Sequence, residues 1–133
     1  MKTKMLFIAI VLMASLSSCK KDLASDWVGT YDGTTGSGNV QRVVVTKVND
    51  NTIKMELQTQ VLLSYATFAT IANAKVSSSS LATVDEDGTV YGYSGVYHFS
   101  GAASRDGSTL TITNAMATQT GATTLYYNFS GTR

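Results

Sequence analysis

The stretch TIKMELQ, Thr52 to Gln58, alternates apolar and polar side chains without a break: Ile53, Met55 and Leu57 fall on one side, Lys54, Glu56 and Gln58 on the other. A period of two sends one row to a core and the other to water, which marks a β-strand covered on a single face. The pattern recurs in Leu110 and Ile112 between threonines, and in Leu125, Tyr127 and Phe129 between Tyr126, Asn128 and Ser130. NDN at 49–51 and RDG at 105–107 stand before such runs and supply residues that tolerate the positive φ of hairpin turns. The 133 residues include eleven glycines and no proline. Strands joined by short turns, an all-β fold, follow from this.

Spans at 27–34, 39–48, 52–60, 64–72, 74–83, 88–93, 96–103, 108–114 and 123–132 read as strands. The segment 61–74 also fits helical spacing through Val61, Leu62, Tyr65, Phe68 and Ala72, but it lacks a helix cap and is read as strand. Merging 64–72 with 74–83 as one bent strand brings the count to eight, an even number that suits a single antiparallel up-and-down barrel; the alternative is a two-sheet β-sandwich. Even closure sets the first strand antiparallel beside the last. Trp27 and Arg133 then become neighbours at one end, where a guanidinium over an indole adds about 0.5–2 kcal/mol of structural closure.

The front of the chain is of another kind. Lys2 and Lys4 precede the apolar run MLFIAIVLMA, Met5 to Ala14, and small residues follow up to Cys19, the sole cysteine. Positive, apolar and small residues in that order make a secretory signal, and the run is well short of the about 20 residues of a membrane-spanning helix. A lone cysteine forms neither an internal disulfide nor a thiolate metal site. LSSC, Leu16 to Cys19, resembles the lipobox of bacterial lipoproteins. That resemblance implies cleavage after Ser18 and lipidation of Cys19, with the chain anchored to the outer membrane on its periplasmic face or at the cell surface; KKD at 20–22 resembles the charged surface signals of some lipoproteins. The expected division is a signal peptide at 1–18, a lipidated tether at 19–26 and a β-barrel domain at 27–133. Lys2 and Lys4 leave with the leader, from ten basic residues against nine acidic. The near-neutral remainder shows no basic run and gives no case for nucleic acid.

WVGTYDG at 27–33, VVVTKVNDNTIKMEL at 43–57 and YYNFSGTR at 126–133 resemble the calycin group, and most nearly small lipocalin-like bacterial lipoproteins. The resemblance implies a ligand-holding barrel closed by Trp27 and Arg133. Tyr91, Tyr93, Tyr97 and Phe99 share one parity. With Tyr31, Met55 and Tyr127, the residues Tyr93, Tyr97 and Phe99 are the candidate wall of a site for a small apolar or amphipathic ligand, or else plain core. On this topology the far rim carries GTTGSGN at 33–39 and AMATQTGAT at 115–123, suited to a ligand or an envelope protein partner. The second expected function is therefore a non-enzymatic protein-interaction module of a cell-envelope or surface complex.

Catalytic, metal and cofactor sites are not expected. His98 is the single histidine and has no acid or nucleophile beside it in sequence. DEDG at 85–88 lacks the rest of a calcium loop and reads as a turn. GYSG at 92–95 lacks the spacing of a nucleophile elbow.

Overall fold

A computed structural model of the chain describes residues 21–119 and 124–133, with backbone alone for 114–116. One turn of 3-10 helix, Ser25–Trp27, leads into strands β1 (Gly29–Thr35), β2 (Val40–Asn49), β3 (Thr52–Val61), β4 (Ser64–Val76), β5 (Leu81–Gly88), β6 (Tyr97–Asp106), β7 (Thr109–Thr118) and β8 (Leu125–Thr132). Each pairs antiparallel with its successor and β8 returns to β1, so a single sheet closes in a ring rather than forming two stacked layers. A one-residue bridge from Val90 to Ala69 adds to it.

The alternating rows land as the period requires. Val43 and Val45 of β2, Ile53, Met55 and Leu57 of β3, Phe99 of β6, Leu110 and Ile112 of β7 and Phe129 of β8 all point inward and are buried. The ring closes where Gly33 of β1 faces Gly131 of β8. A methyl on Gly33 would lie 2.0 Å from the Ser130 carbonyl oxygen, and one on Gly131 would lie 2.4 Å from the Phe129 ring. Only glycine at both positions lets the first and last strands approach this closely.

The pole where the chain enters, here called the base, is tied from every side. Trp27 is 0% exposed, its ring N–H donates to the Ser78 carbonyl at 3.1 Å, and the Tyr31 hydroxyl donates to its carbonyl at 2.9 Å. Arg133 does reach this pole, where it donates to the Val28 carbonyl, but its guanidinium lies over the Tyr31 ring at 5.6 Å rather than over the indole. Arg105 donates from Nε to the Ser79 carbonyl at 3.0 Å. Part of the expected tether is folded against the base as well. The Leu23 and Ala24 amides donate to the Asp50 carbonyl, Ala24 is fully buried, and Asp22 accepts from Lys47 at 2.6 Å. That bond and a second from Ser25 hold the Asp22 carboxyl down at about 2.

Three strand expectations are corrected. Trp27 precedes β1 in the 3-10 turn instead of starting the strand. The span expected at 74–83 is broken by a turn at Ser77–Ser80, because the Ser78 hydroxyl accepts from the Ser80 and Leu81 amides and so meets main-chain donors that a ladder would otherwise use. In place of a strand at 88–93 there is only the Val90 bridge, while 85–88, expected as a turn, completes β5. The segment 61–74 is strand around a hairpin turn at Leu62–Leu63, not helix.

Trp27→Ala should cost about 3–5 kcal/mol, as loss of a fully buried indole does. Gly33→Ala should cost about 1–3 kcal/mol by overpacking the seam. Denaturant unfolding followed by circular dichroism measures both, and unchanged midpoints would contradict this closure.

Candidate functional site

The antiparallel order puts the connections after β1, β3, β5 and β7 at the pole opposite the base. Immediately beneath this rim the interior is plugged by aromatic rings. Tyr127 of β8 lies 5.4 Å from Phe68 of β4 and 6.4 Å from Phe99 of β6, centroid to centroid. Phe68 reaches there because β4 carries a bulge: Leu57 pairs with Ala69 and Gln58 with Thr67, leaving Phe68 as the extra residue. Burial among these rings pushes the Tyr127 phenol up to about 12.

The candidate ligand wall is thus largely core. Tyr31, Met55, Tyr97 and Phe99 are at most 3% exposed, packed with the aliphatic rows rather than around an open chamber. The reason is volume: in a ring this small, inward aromatic and branched side chains meet across the axis. Tyr93 is on the outside, 52% exposed, with its ring edge-on to Tyr97 at 6.1 Å. Its parity with Tyr97 does not carry through, because 89–96 is a connection and not a strand. Tyr127 is half-buried, and its exposed side joins Tyr126, Gln41 and the β1–β2 turn around a cleft of about 370 Å³. Cys19 lies outside the described residues.

The rim itself has a distinct chemistry. No Asp, Glu, Lys or Arg occurs in 33–41, 57–74, 88–104 or 107–132, the stretches that hold all four rim connections. Among the described residues, most exposed large apolar side chains also gather here: Val40, Val61, Leu62, Leu63, Tyr91, Tyr93, Val96 and Tyr126, against Val28, Val48 and Leu81 elsewhere. Leu62 is 90% exposed and Tyr91 83%. Contiguous apolar exposure of this kind marks contact surfaces. Sequence reasoning missed Leu62, Leu63 and Tyr91 as surface residues. The period-two pattern that fails across 61–64 was the available sign of a turn there.

One charged cluster lies on the outer wall near this pole. His98 of β6 faces Asp87 of β5 across the ladder. Its Nδ1 is 3.0 Å from Asp87 and its Nε2 3.1 Å from Asp85. With a carboxylate at each ring nitrogen the doubly protonated imidazolium is favoured, and the hydrogen bond to Asp87, ahead of the Asp85 charge, raises the His98 pKa. Sequence reading overlooked the partnership because the acids belong to the neighbouring strand. No cluster of His, Cys, Asp and Glu suited to a metal ion occurs among the described residues.

No known family model, curated protein or solved structure matches the chain.

Because its folded pKa is raised, His98 contributes stability that is fully present below the ordinary 6.5 and is lost as pH rises through the raised value. NMR titration should therefore place the His98 midpoint above 6.5, and Asp87→Asn should bring it down. A native midpoint at or below the ordinary value would contradict the two-carboxylate geometry.

Proposed function

We propose that this chain is a lipid-anchored, non-enzymatic interaction module of a cell-envelope or surface complex, which presents its uncharged rim to a protein partner. The ring is read here as an eight-stranded, calycin-like up-and-down barrel, held to the outer membrane through a lipidated Cys19. The observation that carries the proposal is a contrast within one molecule. Below the rim the barrel is occupied by its own side chains, from Trp27 and Tyr31 up to Phe99 and Tyr127, whereas apolar surface is displayed on the connections above. A barrel filled in this way offers a rigid platform, and contact surfaces characteristically sit on loops held by such a platform.

The composition of the rim supports the same reading. TTGSGN at 34–39 and TVYGYSGV at 89–96 combine tyrosine with serine, glycine and asparagine. That mixture is characteristic of binding loops that recognise proteins: tyrosine adds broad amphipathic contact at low entropy cost, and the small polar residues adapt their hydrogen bonds. The absence of charge spares a partner the desolvation of buried ions. Polarity also fits the anchor. The chain leaves the base at Lys21, so an anchor at Cys19 holds the base at the membrane and turns the rim outward.

Affinity capture of the mature protein from detergent-solubilised membranes of its own cells tests this. The native chain should retain a protein partner that the triple variant Leu62→Asn, Leu63→Asn, Tyr126→Ser loses by at least tenfold at unchanged melting temperature, since these side chains support no part of the core. Equal capture by both chains, or native mass spectra in which only a small molecule accompanies the protein, would sink the proposal.

A further inference from the structure

Ring closure leaves one stretch of β4 that no further strand covers. β4 is 13 residues long, yet β5 pairs with it only through Lys75–Thr83 and Val76–Ala82. Above those pairs the seam is held by single contacts. The Asn73 amide donates to the Glu86 carboxylate at 2.8 Å, Val90 bridges Ala69, and the Tyr91 amide donates to the Phe68 carbonyl at 2.8 Å. Beyond Phe68, residues 64–67 pair with β3 alone among the described residues. The turn at Leu62–Leu63 closes on the Val61–Ser64 pair, whose main-chain groups face each other. Alternation then turns the N–H and C=O of Tyr65 and Thr67 outward.

Such an edge is a template for pairing, and folded proteins usually blunt it with lysine or proline. This one has neither, since 57–74 holds no charged residue and the chain has no proline. Beside the edge opens an apolar notch of about 470 Å³, lined by Thr59, Val61, Ala66, Thr67, Phe68 and Tyr91. At the hairpin tip Leu62 adopts φ 57°, the left-handed conformation that a two-residue hairpin turn requires and that costs a leucine on the order of 1–3 kcal/mol.

We propose that the outer edge of β4 at residues 64–67 accepts an extended, uncharged segment of a partner protein as an added strand, with one apolar side chain of that segment seated in the notch. The inference rests on the reading of the rim as a protein-docking surface and specifies the form of the partner. Outward main-chain donors and acceptors are matched by another extended main chain, while alternate side chains of an added strand fall on the notch side. A second copy of this chain fits poorly. A two-fold pair joins identical edges antiparallel, which would set the two bases, and with them the two anchors, on opposite sides.

The test places a photoreactive phenylalanine analogue at Tyr91, in the wall of the notch, in the full chain made by its own cells. Thr67→Pro removes the outward N–H while an edge position tolerates proline, and Thr67→Val keeps that N–H and loses only the hydroxyl. The expected result is a light-dependent adduct with another protein that survives Thr67→Val and falls at least tenfold in Thr67→Pro. Ala66→Lys, which puts a charge into the notch without touching the main chain, should give the same loss and stands in if the proline variant melts early. An adduct undiminished by both Thr67→Pro and Ala66→Lys overturns strand addition and leaves the rim reading intact. Adducts only with lipid or with a second copy also overturn it. Absence of any protein adduct from Tyr91 and from the same analogue at Tyr126 overturns both readings.

Discussion

The close approach of Gly33 and Gly131 is the constraint on which the rest of this structure depends. A sheet with both edges free would expose two rows of unpaired main-chain groups and leave its apolar face to be covered from outside. Bringing β8 back to β1 removes both needs at once, and it is possible only because neither strand carries a Cβ at the crossing. Closure draws Tyr31, Met55, Phe99 and Phe129 around one axis, where their volume fills the interior.

The two poles of the ring differ in consequence. At the base the turns are bonded to elements other than their own: Trp27 to Ser78, Arg105 to Ser79, Arg133 to Val28, and Leu23 to Asp50. At the rim the β1–β2 turn is held mainly by its own residues, as in the Thr35 amide bonded to the Asn39 carbonyl and the Gly38 amide to Thr35. The Tyr91–Phe68 bond ties the long β5–β6 connection to β4. Charge follows the same division, with its pairs on the base and outer wall, such as Asp22 with Lys47 and Asp32 with Arg42, and none on the rim connections. One end of the ring is thus tied and sealed, and the other is uncharged and apolar.

The strands that could be read from sequence are those whose two faces differ most. TIKMELQ and TLTIT show their period because one side meets the core and the other meets water. Reading fails where a tertiary feature overrides the period. The turn at Leu62–Leu63 and the bulge at Phe68 each interrupt the period of two, so 61–74 looks part helical. DEDG looks like a turn by composition, yet Asp85 and Asp87 lie on the outer face of a strand where His98 from the next strand compensates them. The alternation of Tyr91, Tyr93 and Tyr97 suggested one wall, but seven of the eight residues between Gly88 and Tyr97 are bends, turns or unpaired chain, which send Tyr91 and Tyr93 to the surface. The rim's lack of charge was present in the sequence throughout. It becomes meaningful only once the ring gathers four distant connections at one pole.

The interior is full, and recognition is proposed for the rim instead. Methyl NMR of Ile53, Met55, Ile71, Leu110 and Ile112, titrated with a medium-chain fatty acid, addresses it directly. The account predicts no saturable shift at these five residues, whereas saturable shifts at them would show an interior able to admit a ligand and would contradict it.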